Sequence, residues 1–324
     1  MGKFKYGLMV MSQPFGEQGE FEIAPGATTF IGNIDSLFEA NQLALLQERQ
    51  GTTEWDRIRG RQRICLIRTS SLRPHESTPE NDGIQLRIWR MRQALLLASS
   101  NGFFFGHNWT FDGQAAGPHQ SDKLLSVQTT LHFTPLVRPF YERSQPYMRG
   151  RVDEVGNGWL NRWRESARML EAAPLPRILS FAMISFERAF EPLLVEFKIP
   201  DAVRAIEAVI ALPKENSGAA NFATRVLALV PEVRSDWYVG GPDIEERLKQ
   251  LYRQRNEGVH GKVPFESLEA EGDDGVEEVA RLEYLAEFVA RQSLVKALRH
   301  PNMREVFADR KCLETAWAER RFPE

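Results

Sequence analysis

Only two cysteines, Cys65 and Cys312, occur in 324 residues, and they lie far apart. A disulfide-stapled scaffold is therefore excluded, and reduced thiols in a cytoplasmic setting are the expectation. Long apolar runs are missing too. Stretches such as Ala94–Ala98 and Leu227–Val230 fall far short of the ~20 residues that span a bilayer, so no membrane association is expected. The opening MGKFKYGLMVMSQPFG has a basic start, a short apolar stretch and no small-residue cleavage site; it reads as a first strand, not a signal peptide. Charge of one sign is scarce. The net charge of −3 argues against a protein that coats nucleic acid nonspecifically. The glycine-rich stretches GNG (156–158) and GGP (240–242) lack the Lys-Ser/Thr of a phosphate loop. His107, His119 and His132 come close together, yet their spacing matches no common zinc pattern and neither cysteine is near. No metal and no other cofactor is expected, and no internal repeat or low-complexity tract is present.

The two halves differ in charge. Residues 1–170 hold 20 Lys+Arg against 17 Asp+Glu, a balance of +3, and residues 171–324 hold 21 against 27, a balance of −6. Arginines of the first half cluster at Arg57, Arg59, Arg61, Arg63, Arg68 and Arg73, and again at Arg149, Arg151, Arg162, Arg164 and Arg168. Two readings stand side by side: a grip on phosphates if RNA is the ligand, or solvated faces and charge-guarded strand edges.

The pattern implies an α+β first domain over 1–157 and an all-α bundle over 158–324. Phe4–Met11 and Phe21–Phe30 resemble strands, with Pro25-Gly26 as a turn signal, and Arg63–Ile67, Gly102–Gly113 and Val127–Phe133 add three more. Ser36–Gln50 and Ile84–Ser99 read as helices, and 70–83 as a loop. From residue 158 helices dominate: Ile178–Phe190, Asp201–Leu212, Ala219–Leu229, Asp243–Asn256 and Gly275–Leu298, an acidic loop (Glu266–Gly275) preceding the last. Trp159 and Trp163, one turn apart, are expected to staple the bundle to the first half.

One helix carries an anomaly. Over Asp243–Asn256 the apolar stripe runs Ile244, Leu248, Leu251 and Tyr252, and its next position is Arg255. A permanent charge aimed at the buried side needs a partner or a ligand. Asp243 and Glu246 have capping-box spacing at the start. Gly258 is expected to loosen the end, where His260 projects into a cleft. Glu207 lies at the edge of the stripe Val203, Ile206, Val209, Ile210 on the helix over Asp201–Leu212, and is the candidate partner of Arg255. An imidazole can take the proton of a ribose 2′-hydroxyl while a guanidinium stabilises the charge growing on phosphorus oxygens. Asn256 could orient either group. Spacing alone is unspecific: among 32 arginines (41 Lys+Arg less nine Lys) and six histidines, Arg68–His75 and Arg253–His260 also qualify. Placement on the buried stripe selects Arg255. Without a ligand, the same residues make a structural salt bridge and a helix-end cap.

The stretch LKQLYRQRNEGVHGK (Leu248–Lys262) resembles the signature of HEPN domains, in which Arg and a polar residue precede His by a short gap. It is most similar to the variety found in anti-phage and toxin-like proteins of the ApeA-like group. AIEAVIALPKEN (Ala205–Asn216) and NFATRVLALV occupy the places of the preceding helices, so the resemblance covers roughly 175–300. It implies a HEPN-like bundle acting as a metal-independent endoribonuclease, with Arg255 and His260 catalytic and Asn256 and Glu207 assisting. It further implies an RNA partner, a homodimer built through the motif face, a 2′,3′-cyclic phosphate product, and a setting in phage defence or beside an antitoxin or other regulatory partner. Arg253, Lys262, Arg59, Arg61 and Arg63 are further candidate RNA contacts. Two other readings stay open: a non-catalytic HEPN-like binding or dimerisation module, and a DNA-binding regulator, although neither a helix-turn-helix nor a strongly basic domain is visible.

Overall fold

The computed structural model describes residues 3–10, 19–32, 35, 43–44, 47–48, 64–69, 84–98, 109–114, 123–129, 158–189, 198–211, 218–236, 239–259, 273–299 and 303–319. The chain divides into two compact units, Met1–Val137 with Glu154–Arg168, and Arg138–Asp153 with Met169–Glu324.

In the first unit six strands among the described residues form one antiparallel sheet. They are β1 (Lys3–Val10), β2 (Gly19–Ala24), β3 (Ala27–Gly32), β4 (Ile64–Thr69), β5 (Trp109–Gln114) and β6 (Lys123–Thr129), in the order β2-β3-β4-β1-β5-β6. The first strand sits inside the sheet, pairing Tyr6 with Arg68 on one side and Phe111 on the other. The β2–β3 hairpin turns where Pro25-Gly26 predicts: Pro25 presets one φ and Gly26 takes φ 73, open to glycine at little cost. Helix α1 (Ile84–Ala98) lies against β1 and β4. Its expected apolar stripe is only part of the picture, because Arg87, Arg90, Arg92 and Gln93 are buried as well. Burial of such groups requires partners; Arg87 finds one in the hairpin turn, donating to the Pro25 carbonyl at 2.5 Å. Most of the expected helix 36–50, the loop 70–83 and His107, His119 and His132 lie outside the described residues.

Helix α2 (Gly158–Glu171) begins where the helical character was expected, but its residues up to Arg168 belong to the first unit. Trp163 is fully buried there, and its indole N–H donates to the Met91 carbonyl of α1 at 2.9 Å. Arg162 and Arg164 donate to the carbonyls of Ala98 (2.9 Å) and Glu22 (2.8 Å). These two arginines of the second cluster therefore cap backbone.

The second unit is helical: α3 (Arg177–Arg188), α4 (Lys198–Ile210), α5 (Ala219–Leu229), a 3₁₀ turn (Pro231–Ser235), α6 (Ile244–Val259), α7 (Asp273–Arg299), α8 (Met303–Val306) and α9 (Arg310–Glu319). Helix α4 is the axis, packed by α3, α5, α6 and α7. Accordingly nearly all of it is buried, from Lys198 to Ile210. It starts three residues before the expected Asp201, with Pro200 inside its first turn, where a missing N–H costs nothing. Helix α6 likewise runs past the expected Asn256 to Val259, so Gly258 does not end it. The short helices α8 and α9 were not anticipated by the periodicity. Within α7, Glu287 and Arg291 pair one turn apart, almost wholly enclosed. No helix among the described residues is long and apolar enough to cross a membrane.

Candidate functional site

The start of α6 is set by a close turn. A side chain on Gly240 would meet the Asp236 carbonyl at 2.3 Å, and Gly241 takes φ 133, so glycine is required at both. Asp236 is held from two sides, accepting from the Val239 N–H (3.1 Å) and from the Tyr284 hydroxyl of α7 (3.0 Å). The expected capping box does not form. Glu246 instead meets Lys249 at 2.8 Å and Arg253 at 3.9 Å, because an ammonium one turn away is a stronger partner than a neutral N–H.

From that start the stripe Ile244, Leu248, Leu251 and Tyr252 is buried, and Tyr252 packs on Phe222 of α5 at 5.2 Å between ring centres. One turn on, Arg255 is only partly covered. Its Nη2 lies 3.0 Å from Glu207 Oε2 on α4, and its Nη1 donates to Asn256 Oδ1 at 2.8 Å. Its Nε is buried without a hydrogen-bond partner among the described residues. Burial pushes the Glu207 carboxyl above its ordinary value of 4.5, and the opposing pull of Arg255, Arg204 and Arg310 does not cancel it. Arg253 points away, exposed on the other face. His260 follows directly on the last residue of α6; it, Lys262, Arg59, Arg61 and Arg63 lie outside the described residues.

The Arg255–Glu207 pair opens onto a groove of about 800 Å³, formed by α3, α4, α6 and α9. Its apolar wall includes Ile178, Phe181, Ala208 and Ala211, and among the described residues its charges are Arg177, Arg204, Arg255 and Arg310 against Glu207. Arg204 also pairs with Asp201 at 2.7 Å and Arg310 with Glu314 at 2.8 Å. Helix α9 places Arg310 through Asp309, whose carboxylate accepts from the Cys312 N–H at 2.7 Å and is held below its ordinary range by that bond. Ala211, closing α4, takes φ 48, and Arg225 clasps that end by donating to the carbonyls of Ile210 (2.7 Å) and Ala211. The Arg225 guanidinium also lies 5.1 Å from the Trp317 ring centre.

No family model, curated protein or solved structure matches the chain. The site therefore stands on its own geometry. Sequence reasoning named Arg255, Glu207 and Asn256, which the fold brings together. It missed Arg177, Phe181, Arg204 and Arg310. Arg204 had a usable signal, one turn before Glu207 on the same face; the others come from helices distant in sequence. Among the described residues no group of three or more His, Cys, Asp or Glu is gathered as for a metal ion.

Proposed function

We propose that the second unit is a HEPN-type endoribonuclease that cleaves RNA by 2′-hydroxyl attack without needing a metal. The observation that carries this reading is Arg255, held by Glu207 and Asn256 at the mouth of an arginine-lined groove, five residues before His260. In this reading His260 takes the 2′-hydroxyl proton, the oxygen attacks the adjacent phosphorus, and the 5′-oxygen leaves and gains a proton. Arg255 stabilises the charge on the non-bridging oxygens. The products are a 2′,3′-cyclic phosphate and a 5′-hydroxyl. A homodimer would bring two such pairs to one cleft, and the sheet-bearing unit would recognise a substrate or trigger. A role in phage defence, with an antitoxin or other regulatory partner in the cytoplasm, fits such an activity.

The second reading is a non-catalytic HEPN-like binding or dimerisation module; the completed Arg255–Glu207 pair favours it, since a structural bridge looks the same. Purified protein on total RNA with EDTA present separates the two. The wild type is expected to cleave, and Arg255→Ala and His260→Ala to lose on the order of a hundredfold or more. A wild type that leaves RNA intact points to the module, and equal cleavage of a substrate with 2′-deoxyribose at the cut defeats the mechanism.

A further inference from the structure

The groove holds more cationic and aromatic surface than the Arg255–Glu207 pair requires. Phe181 is 54% exposed although it lines a concavity where an aromatic would normally be covered. It stands one turn after Arg177, which has no ion pair among the described residues, and Ile178 continues the same wall. Across the groove Arg204 spends Nη1 on Asp201 Oδ1, while a guanidinium offers five donors in a planar fork. Arg310 supplies a fourth positive charge, and among the described residues the acidic group in the lining is Glu207.

Three occupants can be compared by what they would meet. A lone inorganic anion would leave the apolar wall unused. An apolar peptide or helix face would have to desolvate the guanidiniums of Arg177, Arg204, Arg255 and Arg310, compensated among the described residues by Glu207 in the lining and by Asp201 and Glu314 behind it, a heavy cost. A single-stranded polynucleotide matches both halves of the lining, with phosphates for the fork-shaped donors and an unstacked base for the exposed ring.

We propose that this groove is the strand-binding subsite for single-stranded RNA: Phe181 stacks a base, and Arg177, Arg204 and Arg310 take phosphates flanking the one at Arg255. The proposal rests on the ribonuclease reading for its substrate, but binding and cleavage fail separately. The volume of about 800 Å³ holds a short segment, so the groove sets the path of the strand and not a long footprint. Sequence preference at this subsite is weak, because every base offers a face to stack.

The test is anisotropy titration of the full chain with a fluorescent, uncleavable 2′-O-methyl dodecamer of mixed sequence. Phe181→Ala is expected to weaken binding about tenfold or more, and Phe181→Trp to retain it. Arg177→Gln is expected to lower the slope of log affinity against log salt by about 0.7, the value for one phosphate on a single strand. Arg234→Gln, exposed and outside the groove, is expected to bind as the wild type does. Circular dichroism melting of each variant confirms folding, and the half-exposed Phe181 can be truncated without opening the core. Wild-type affinity in Phe181→Ala and Arg177→Gln overturns the proposal even if RNA is cleaved, as does a wild type that does not bind the oligomer. Sedimentation velocity adds one more outcome: loss of self-association in Phe181→Ala with unchanged oligomer binding makes the face a contact between copies and overturns it. Groove-dependent binding by a chain that never cleaves supports the subsite and defeats only the catalytic reading.

Discussion

Two arginine–glutamate pairs in the helical unit show what enclosure does to one chemistry. Arg291 and Glu287 sit one turn apart on α7 with side chains 7% and 0% exposed. Arg255 and Glu207 reach across from α6 to α4, 25% and 19% exposed, and open onto the groove. The first pair is sealed, so neither partner can meet anything but the protein. The second is built by two helices that could have met through apolar contacts, and its charge is available to a ligand. A buried pair is weak support for stability in itself, but breaking one is costly, since the survivor has no water to turn to.

The largest effect therefore belongs to the sealed pair. Glu287→Ala is expected to lose about 3–5 kcal/mol in urea unfolding, a large share of a typical folding free energy. Glu207→Ala is expected to lose only about 1 kcal/mol, because water enters the groove and solvates Arg255. Equal losses would erase the distinction between the pairs. Next in size, Arg225→Ala frees the carbonyls that end α4 and is expected to cost about 1–2 kcal/mol, read by the same unfolding measurement. Ala211→Gly relieves the positive φ and is expected to gain about 0.5–1 kcal/mol; a loss instead would mean that the methyl in the groove wall packs better than it strains.

The smallest effect is a pH dependence specific to the open pair. Burial raises Glu207 above its ordinary 4.5, so between that value and the folded-state value the native chain holds a proton that the unfolded chain has released. Stability contributed by this site is present at low pH and falls as pH rises through the window. The stability of the wild type minus that of Glu207→Gln should accordingly decline from pH 4.5 upward, as measured in parallel urea titrations. A difference that grows with pH would show that Arg255 outweighs desolvation.

Much of the second unit was legible because its helices are amphipathic and periodic. Ala219–Leu229 coincides with α5, and the Arg255–Glu207 contact followed from two stripe edges. Boundaries slipped where a residue's general habit met a local exception: Pro200 sits harmlessly in a first turn, and Gly258 is carried inside α6. The capping box failed because Lys249 competes for Glu246. The groove itself was not legible, since Phe181, Arg204, Arg255 and Arg310 meet only after four helices pack. In the first unit alternation located strands, but nothing in it fixed the order that puts the first strand inside the sheet. Arginine clustering left two readings open, and within the second cluster Arg162 and Arg164 are occupied by carbonyls of their own unit.

The clasp of Arg225 on the end of α4 has an electrostatic side. The aligned peptide dipoles of a helix leave about half a negative charge at its C-terminus. Ala211, at that terminus of α4, forms part of the groove wall, so bare carbonyls there would repel any anion entering. With Arg225 bonded to the carbonyls of Ile210 and Ala211, the wall is masked from behind by a charge that does not itself line the groove. The guanidiniums on the other walls then set the sign of the potential inside without opposition from the helix that carries Glu207.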